Sequence, residues 1–238
     1  MTIAARIPLC IALISLATLA VSGVGVRQGW WDLRLGFQML EWSAYGGLAA
    51  AACAVIILTI PKLRTGAVML LALTIGLGLL TGYVPWHHRQ QARALPKIHD
   101  ISTDLINPPL FVKILPLRAS APNPATYGGP EVAAAQKSGY PDIAPRDLNL
   151  APTAAFARAV TAAKSMGWEL VHADANNGII EATATTFWFG FKDDVVIRIM
   201  PTATGSRVDM RSVSRVGKSD VGANAARIRE FFTKLAGK

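Results

Sequence analysis

Asp194-Val195-Val196-Ile197-Arg198-Ile199-Met200 and, beyond the turn Pro201 to Ser206, Arg207-Val208-Asp209-Met210-Arg211-Ser212-Val213-Ser214-Arg215-Val216 decide the fold of the polar half of this chain. A strand sends successive side chains to opposite faces. Val195, Ile197 and Ile199 therefore point one way and Val196, Arg198 and Met200 the other, while Val208 and Met210 oppose Asp209, Arg211 and Arg215. One face is apolar and needs a cover; the other carries charges of both signs. If Met200 pairs with Arg207, Arg198 faces Asp209 and Asp194 comes near Arg211, a cross-strand charge ladder.

The neighbouring segments extend the pattern on both sides. Upstream, Trp168 to Ala173 and Ile179 to Phe189 flank Asn176-Asn177-Gly178, a strong hairpin signal. Before them, Pro152 suits a first helical position, Phe156, Val160 and Ala163 follow at helical spacing, and Gly167 stops the run. Downstream, Ser219 or Asp220 caps a helix whose Val221, Ile228, Phe231, Phe232 and Leu235 line one face. Residues 153–238 are thus expected to form an α+β domain of helix, four-stranded antiparallel sheet and helix, with both helices on the apolar face. Within Thr186 to Phe191, alternation places Phe187, Phe189 and Phe191 on one face and Trp188 on the other, as core, as a greasy pocket or as a surface touching a bilayer.

Residues 96–152 hold ten of the 14 prolines, with Gly128-Gly129 in their midst. That density excludes a long helix and predicts a Pro-rich extended segment, 97–152, running over a surface. Only Ile98 to Thr103 reads as a strand there.

The first 96 residues are of another kind. They hold 7 of the 24 Lys and Arg and 2 of the 15 Asp and Glu. Three uncharged apolar runs, 7–26, 43–60 and 66–86, each approach the roughly 20 residues needed to cross a hydrocarbon core. They predict a three-span transmembrane anchor over 1–96. A cleaved signal peptide is the alternative for the first run, with Arg6 ahead of it and Ala20 and Ser22 near its end, but its apolar stretch is longer than such segments have. The short basic connection Pro61-Lys62-Leu63-Arg64-Thr65 and Arg6 assign the N-terminus and Lys62 to the cytoplasm. The polar half then lies on the periplasmic side of the cytoplasmic (inner) membrane, and Trp30, Trp31, Trp42 and Trp86 fall at the outer interface. Arg89, Arg93 and Lys97 pull the other way.

Cys10 and Cys53 both lie in apolar runs, which leaves the polar half without a zinc cage, a disulfide framework or a Cys nucleophile. No metal or cofactor is expected. His87 and His88 point about 100° apart on a helix and do not form a chelating pair. A nucleic-acid partner is not expected either, despite the pI near 9.9, because the arginines lack an aromatic platform or a binding-motif spacing.

Two segments carry candidate chemistry. Arg211, Arg215 and Lys218 lead into Ser219 at a helix start, where free N–H groups and the helix dipole favour an anion such as a phosphate, carboxylate or lipid head group. Residues 205–238 carry eight basic and three acidic residues, although Asp220 competes for the same N–H groups. The second segment, His99-Asp100-Ile101-Ser102-Thr103-Asp104, has acid-base ingredients, but a strand puts Asp100, Ser102 and Asp104 on one face and His99 on the other. Its D-x-S-x-D spacing is followed by Leu105-Ile106 and Phe111 where a calcium loop needs Gly and Glu.

The strings His99 to Asp104 with Pro108-Pro109, Phe189-Gly190-Phe191-Lys192-Asp193-Asp194-Val195, and Arg211-Ser212-Val213-Ser214-Arg215-Val216-Gly217-Lys218-Ser219-Asp220-Val221-Gly222-Ala223-Asn224 resemble the domain of unknown function 1499 family, over about 97–236. The resemblance implies a domain often joined to membrane spans and supplies no reaction. The expected function is a membrane-anchored extracytoplasmic envelope module that binds an anionic or amphiphilic ligand, a lipid head group or a membrane-protein partner. The alternative is a hydrolase or metal-assisted enzyme built on His99, Asp100, Ser102 and Asp104, with Ser212 or Ser214.

Overall fold

A computed structural model describes residues 3–237, which divide into two compact units. The first comprises the chain up to Gln91 together with Phe187–Gly190. Its helices α1 (Ile3–Arg27), α2 (Leu33–Thr59) and α4 (Val68–Ala94) are each long and apolar enough to cross a membrane, and the four-residue α3 (Pro61–Arg64) joins the last two. Asp32 starts α2 ten residues ahead of the expected span by accepting the Leu35 N–H on Oδ1 at 2.8 Å. Glycines let two helices approach closely. A Cβ on Gly78 would lie 2.2 Å from the Gly47 carbonyl oxygen, and one on Gly47 would lie 1.7 Å from Thr81 Oγ1.

The second unit holds the polar half. Its sheet has six strands rather than the four expected: β1 (Asp100–Ser102), β2 (Arg146–Leu148), β3 (Glu169–Asp174), β4 (Ile179–Thr185), β5 (Lys192–Thr202) and β6 (Gly205–Ser214). The order is β1-β6-β5-β4-β3, and β2 also pairs with β6. Of the two added strands, β1 lies inside the Ile98 to Thr103 strand that the sequence predicts but leaves outside the four-stranded sheet, whereas β2, with three residues, is too short for an alternating pattern to show. Helices α6 (Pro152–Ser165) and α7 (Ala223–Leu235) cover the apolar face. There Ala155, Phe156, Ala159, Ile228 and Phe231 meet Ile180, Val195, Ile197, Val208 and Met210, all buried, and Trp168 stacks on Phe231 at 5.7 Å.

Other expectations need local correction. The Pro-rich segment does contain a helix, α5 (Gly129–Gly139), because Pro130 starts it and Pro141 follows it while the residues between are free of proline. The strand expected to reach Phe189 stops at Thr185. Thr186 then closes a turn, donating its N–H to the Phe191 carbonyl and accepting the Phe191 N–H on Oγ1, both at 2.9 Å. The aromatic alternation is therefore absent: Phe189 is buried within the first unit, and Phe187 is exposed. The last helix starts at Ala223 because Val221 and Gly222 are left-handed, at φ 51° and 83°. In the Asn-Gly turn, Gly178 sits at φ 65°, and a Cβ there would lie 2.2 Å from the Ile199 carbonyl oxygen.

Candidate functional site

The second face of the sheet collects the charged side chains that the sequence singles out. Met200 pairs with Arg207 and Arg198 with Asp209, the expected register. Asp194 pairs with Val213, however, so its ionic partner is not Arg211. Arg211 reaches across to β1, donating Nε to Asp100 Oδ1 at 2.9 Å and Nη2 to Asp100 Oδ2 at 2.7 Å. It also donates to the carbonyls of Pro109 and Ala125, and lies over the rings of Phe111 and Tyr127 at 5.2 and 5.3 Å. The side chain is fully buried with every terminal nitrogen used. Burial, reinforced by the Asp100 charge, pushes the Tyr127 hydroxyl up to about 12.

Asp194 is held by two arginines. Arg215 donates Nε and Nη2 to its two oxygens at 2.9 and 2.8 Å, and Arg118 donates Nη1 at 3.1 Å. Thr183 adds its hydroxyl at 2.9 Å, and the remaining Arg215 nitrogen donates to the Leu117 carbonyl. Glu181, also fully buried, accepts the backbone N–H groups of Val112 and Lys113 on Oε1 and of Ile114 on Oε2, at 2.8 to 3.0 Å. Asp104 and Asp209 share Arg198 and Arg207. Burial alone would raise the Asp104 carboxyl, but the N–H groups of Asn107 and Ile106 and the two guanidiniums outweigh it and hold it below the ordinary carboxylate range.

These contacts share one consequence: they fasten residues 104–127 across the sheet as a strap. Five arginines (118, 198, 207, 211, 215) pair with four carboxylates (100, 104, 194, 209), and the buried Glu181 adds a fifth negative charge, so these side chains leave no charge surplus with which to recruit an anion. The geometry required of a shared anion site at Arg211, Arg215, Lys218 and Ser219 is not what the molecule holds. Arg211 and Arg215 serve different carboxylates, Lys218 is exposed, and Ser219 donates its hydroxyl to the Pro96 carbonyl at 3.3 Å. Asp220 takes the N–H groups of Gly222 and Asn224, and burial pushes its carboxyl up.

The second candidate segment is also committed to the fold. Asp100 binds Arg211, Ser102 donates its hydroxyl to the Asp104 carbonyl at 2.8 Å, and Gln136 of α5 clamps the Ser102 main chain at 2.9 and 2.6 Å. His99 contributes its carbonyl, which accepts from Ser214 N and Asn224 Nδ2. Ser212 donates to Asn224 and Ser214 accepts from it, and neither hydroxyl is hydrogen-bonded to an imidazole among the described residues. Below them Arg227 joins Asn224 to Asp193, with Nη2 2.5 Å from Asp193 Oδ2. No group of three His, Cys, Asp or Glu is disposed to hold a metal among the described residues.

Elsewhere a cleft of about 430 Å³ opens between α7 and residues 142–148. Ile228, Phe232 and Leu235 floor it; its rim pairs Arg229 with Asp142 at 2.6 Å and sets Arg146 beside Asp147. Acidic and basic groups balance there too.

Fold and site together define an α+β domain whose second sheet face is an internal ion-pair clamp, joined to three candidate membrane-spanning helices. The chain belongs to the family described as Protein of unknown function (DUF1499), whose family model matches residues 100–235. No curated protein matches the chain.

The sequence reading did not anticipate Arg118, Glu181, Gln136 or Arg227. Glu181 is the one that left a trace, as an acid within the otherwise uncharged strand Ile179-Ile180-Glu181-Ala182-Thr183-Ala184-Thr185.

Proposed function

We propose that this protein is a multi-pass protein of the cytoplasmic (inner) membrane whose α+β domain stands on the periplasmic side and binds an anionic or amphiphilic partner without catalysing a reaction. The observation that carries the non-enzymatic part is the commitment of the candidate segments' carboxylates and serine hydroxyls to partners within the fold. Asp100, Asp104, Ser102, Ser212 and Ser214 all bond partners inside the fold, and among the described residues no hydrogen bond joins the His99 imidazole to a serine. A hydrolase needs a nucleophile, a base and an orienting group converging on an open cleft. Three uncharged spans and the basic Lys62 and Arg64 of α3 support the membrane anchor and its orientation.

Paired fusions after Lys238 test the topology. A phosphatase reporter that folds only outside the cytoplasm is expected to be active, and a cytoplasmic fluorescent reporter dark. The reverse pattern contradicts the reading. Hydrolysis of a broad ester and phosphoester panel by purified full-length protein, abolished by Ser102→Ala, would overturn the non-enzymatic part.

A further inference from the structure

We infer that the end of the sheet at which the chain arrives from α4 is a contact surface for the anionic phospholipid of the bilayer. This inference rests on the membrane anchoring proposed above and names the amphiphilic partner. Hydrogen bonds fix which residues share that end. Ser219 and Asp220 bond the carbonyls of Pro96 and Ile98, which bracket Lys97. Arg215 bonds the carbonyls of Lys192 and Leu117, and Asn123 bonds those of Ser214 and Gly217, next to Lys218.

Lys97, Lys192 and Lys218 are all exposed and form no ion pair among the described residues. The carboxylates nearest them are withdrawn. Asp193 and Asp194 are buried against Arg227 and against Arg118 and Arg215, and Asp220 faces its own loop amides. The same end exposes Leu115 at 42% and Leu117 at 54%, on the short 3-10 turn Leu115–Arg118. Arg118 underneath is 5% exposed and tied to Asp194, so the two leucines are presented from a fixed base.

Unpaired lysines around exposed leucines match a bilayer surface with negative head groups and an acyl layer beneath. Chain length selects the bilayer over a soluble acidic partner. From the end of the apolar run at Trp86, α4 continues for eight residues, about 12 Å of helix, and five residues, Leu95 to His99, then lead to β1, at most roughly 18 Å when fully extended, so the domain is held beside the bilayer.

The experiment uses the full chain in nanodiscs, with Cys10 and Cys53, both exposed, replaced by serine. An environment-sensitive fluorophore is placed singly at Leu117→Cys, at Ala203→Cys in the β5–β6 turn, or at Leu79→Cys in α4. Discs hold phosphatidylcholine alone or with phosphatidylglycerol, plus a spin-labelled quencher on the head group or deep in the acyl chain. The expected result is head-group quenching at Leu117 and not at Ala203. It is stronger with phosphatidylglycerol and is lost in K97E/K192E/K218E or in high salt. Quenching at Leu117 no greater than at Ala203 overturns the inference and leaves an acidic protein partner as the occupant. Equal quenching in neutral discs and in the triple variant overturns it as well. If Leu79 escapes the acyl-chain quencher, the membrane anchoring itself is wrong, and the inference falls with it; quenching at Leu79 without quenching at Leu117 refutes the inference alone.

Discussion

Arg211 and Asp100 form a two-pronged ion pair, at 2.9 and 2.7 Å, that ties the edge strand β1 to β6 from within the protein. With Arg211 fully buried, its charge is tolerable only because Asp100, two carbonyls and two aromatic rings surround it. Removing Asp100 alone strands that charge. Asp100→Ala is expected to cost about 3–5 kcal/mol in urea unfolding of the full chain in detergent. The double change D100L/R211M is expected to cost less than either single change. A D100A penalty within the range of an exposed pair, about 1 kcal/mol or below, would refute this role.

Glu181 holds the strap through three backbone N–H groups. Glu181→Gln preserves size and one carbonyl acceptor but removes the charge. The expected loss is about 1.5–3 kcal/mol, together with faster hydrogen exchange at Val112, Lys113 and Ile114. Unchanged exchange at those amides would show that the strap is held by other contacts.

Arg118 and Arg215 converge on one carboxylate, so their contributions should not add. The double mutant R118A/R215A is expected to differ from the sum of the single losses by about 0.5–3 kcal/mol. Additivity would mean that the Asp194 pair is less coupled than its geometry indicates.

Asp104 gives a pH signature with a defined sign. Its carboxyl is held low in the folded state, so the stability it contributes is present above the unfolded value of about 3.9 and is lost as pH falls through the folded value. The stability gap between wild type and Asp104→Asn should therefore narrow on acidification below about pH 4. Asp220, raised by burial, runs the other way. Its contribution is complete below the unfolded value and is lost as pH rises through the folded one, so wild type should gain on Asp220→Asn as pH falls. A gap to Asp104→Asn that widens on acidification would contradict the first assignment, and a gap to Asp220→Asn that narrows would contradict the second.

The central hairpin was legible because it is long: eleven residues in β5 and ten in β6 give alternation room to appear, and the register at Met200–Arg207 and Arg198–Asp209 followed from it. Of the charge partners, Asp209 for Arg198 was legible from that register, and those of Arg211 and Asp194 were not. A one-rung difference sends Arg215 rather than Arg211 to Asp194, and the acid that takes Arg211 lies 111 residues away in the sequence. Long-range pairs through a proline-rich strap leave no periodic trace. Glu181 and Gln136 show the same limit, since each serves backbone groups whose positions depend on the folded path of another segment. The three apolar helices were legible from length and charge alone, but their ends were not, because Asp32 extends α2 through interfacial residues outside the uncharged run.

Cysteine accessibility across the cytoplasmic membrane tests the account most directly. In the Cys10→Ser, Cys53→Ser background, single cysteines at Ala203 and at Lys62, both exposed, are challenged with a membrane-impermeant maleimide in cells whose outer membrane alone has been opened. The account predicts labelling of Ala203→Cys in those cells and of Lys62→Cys only after the inner membrane is lysed. Labelling of Lys62→Cys with protection of Ala203→Cys would place the α+β domain in the cytoplasm and contradict it.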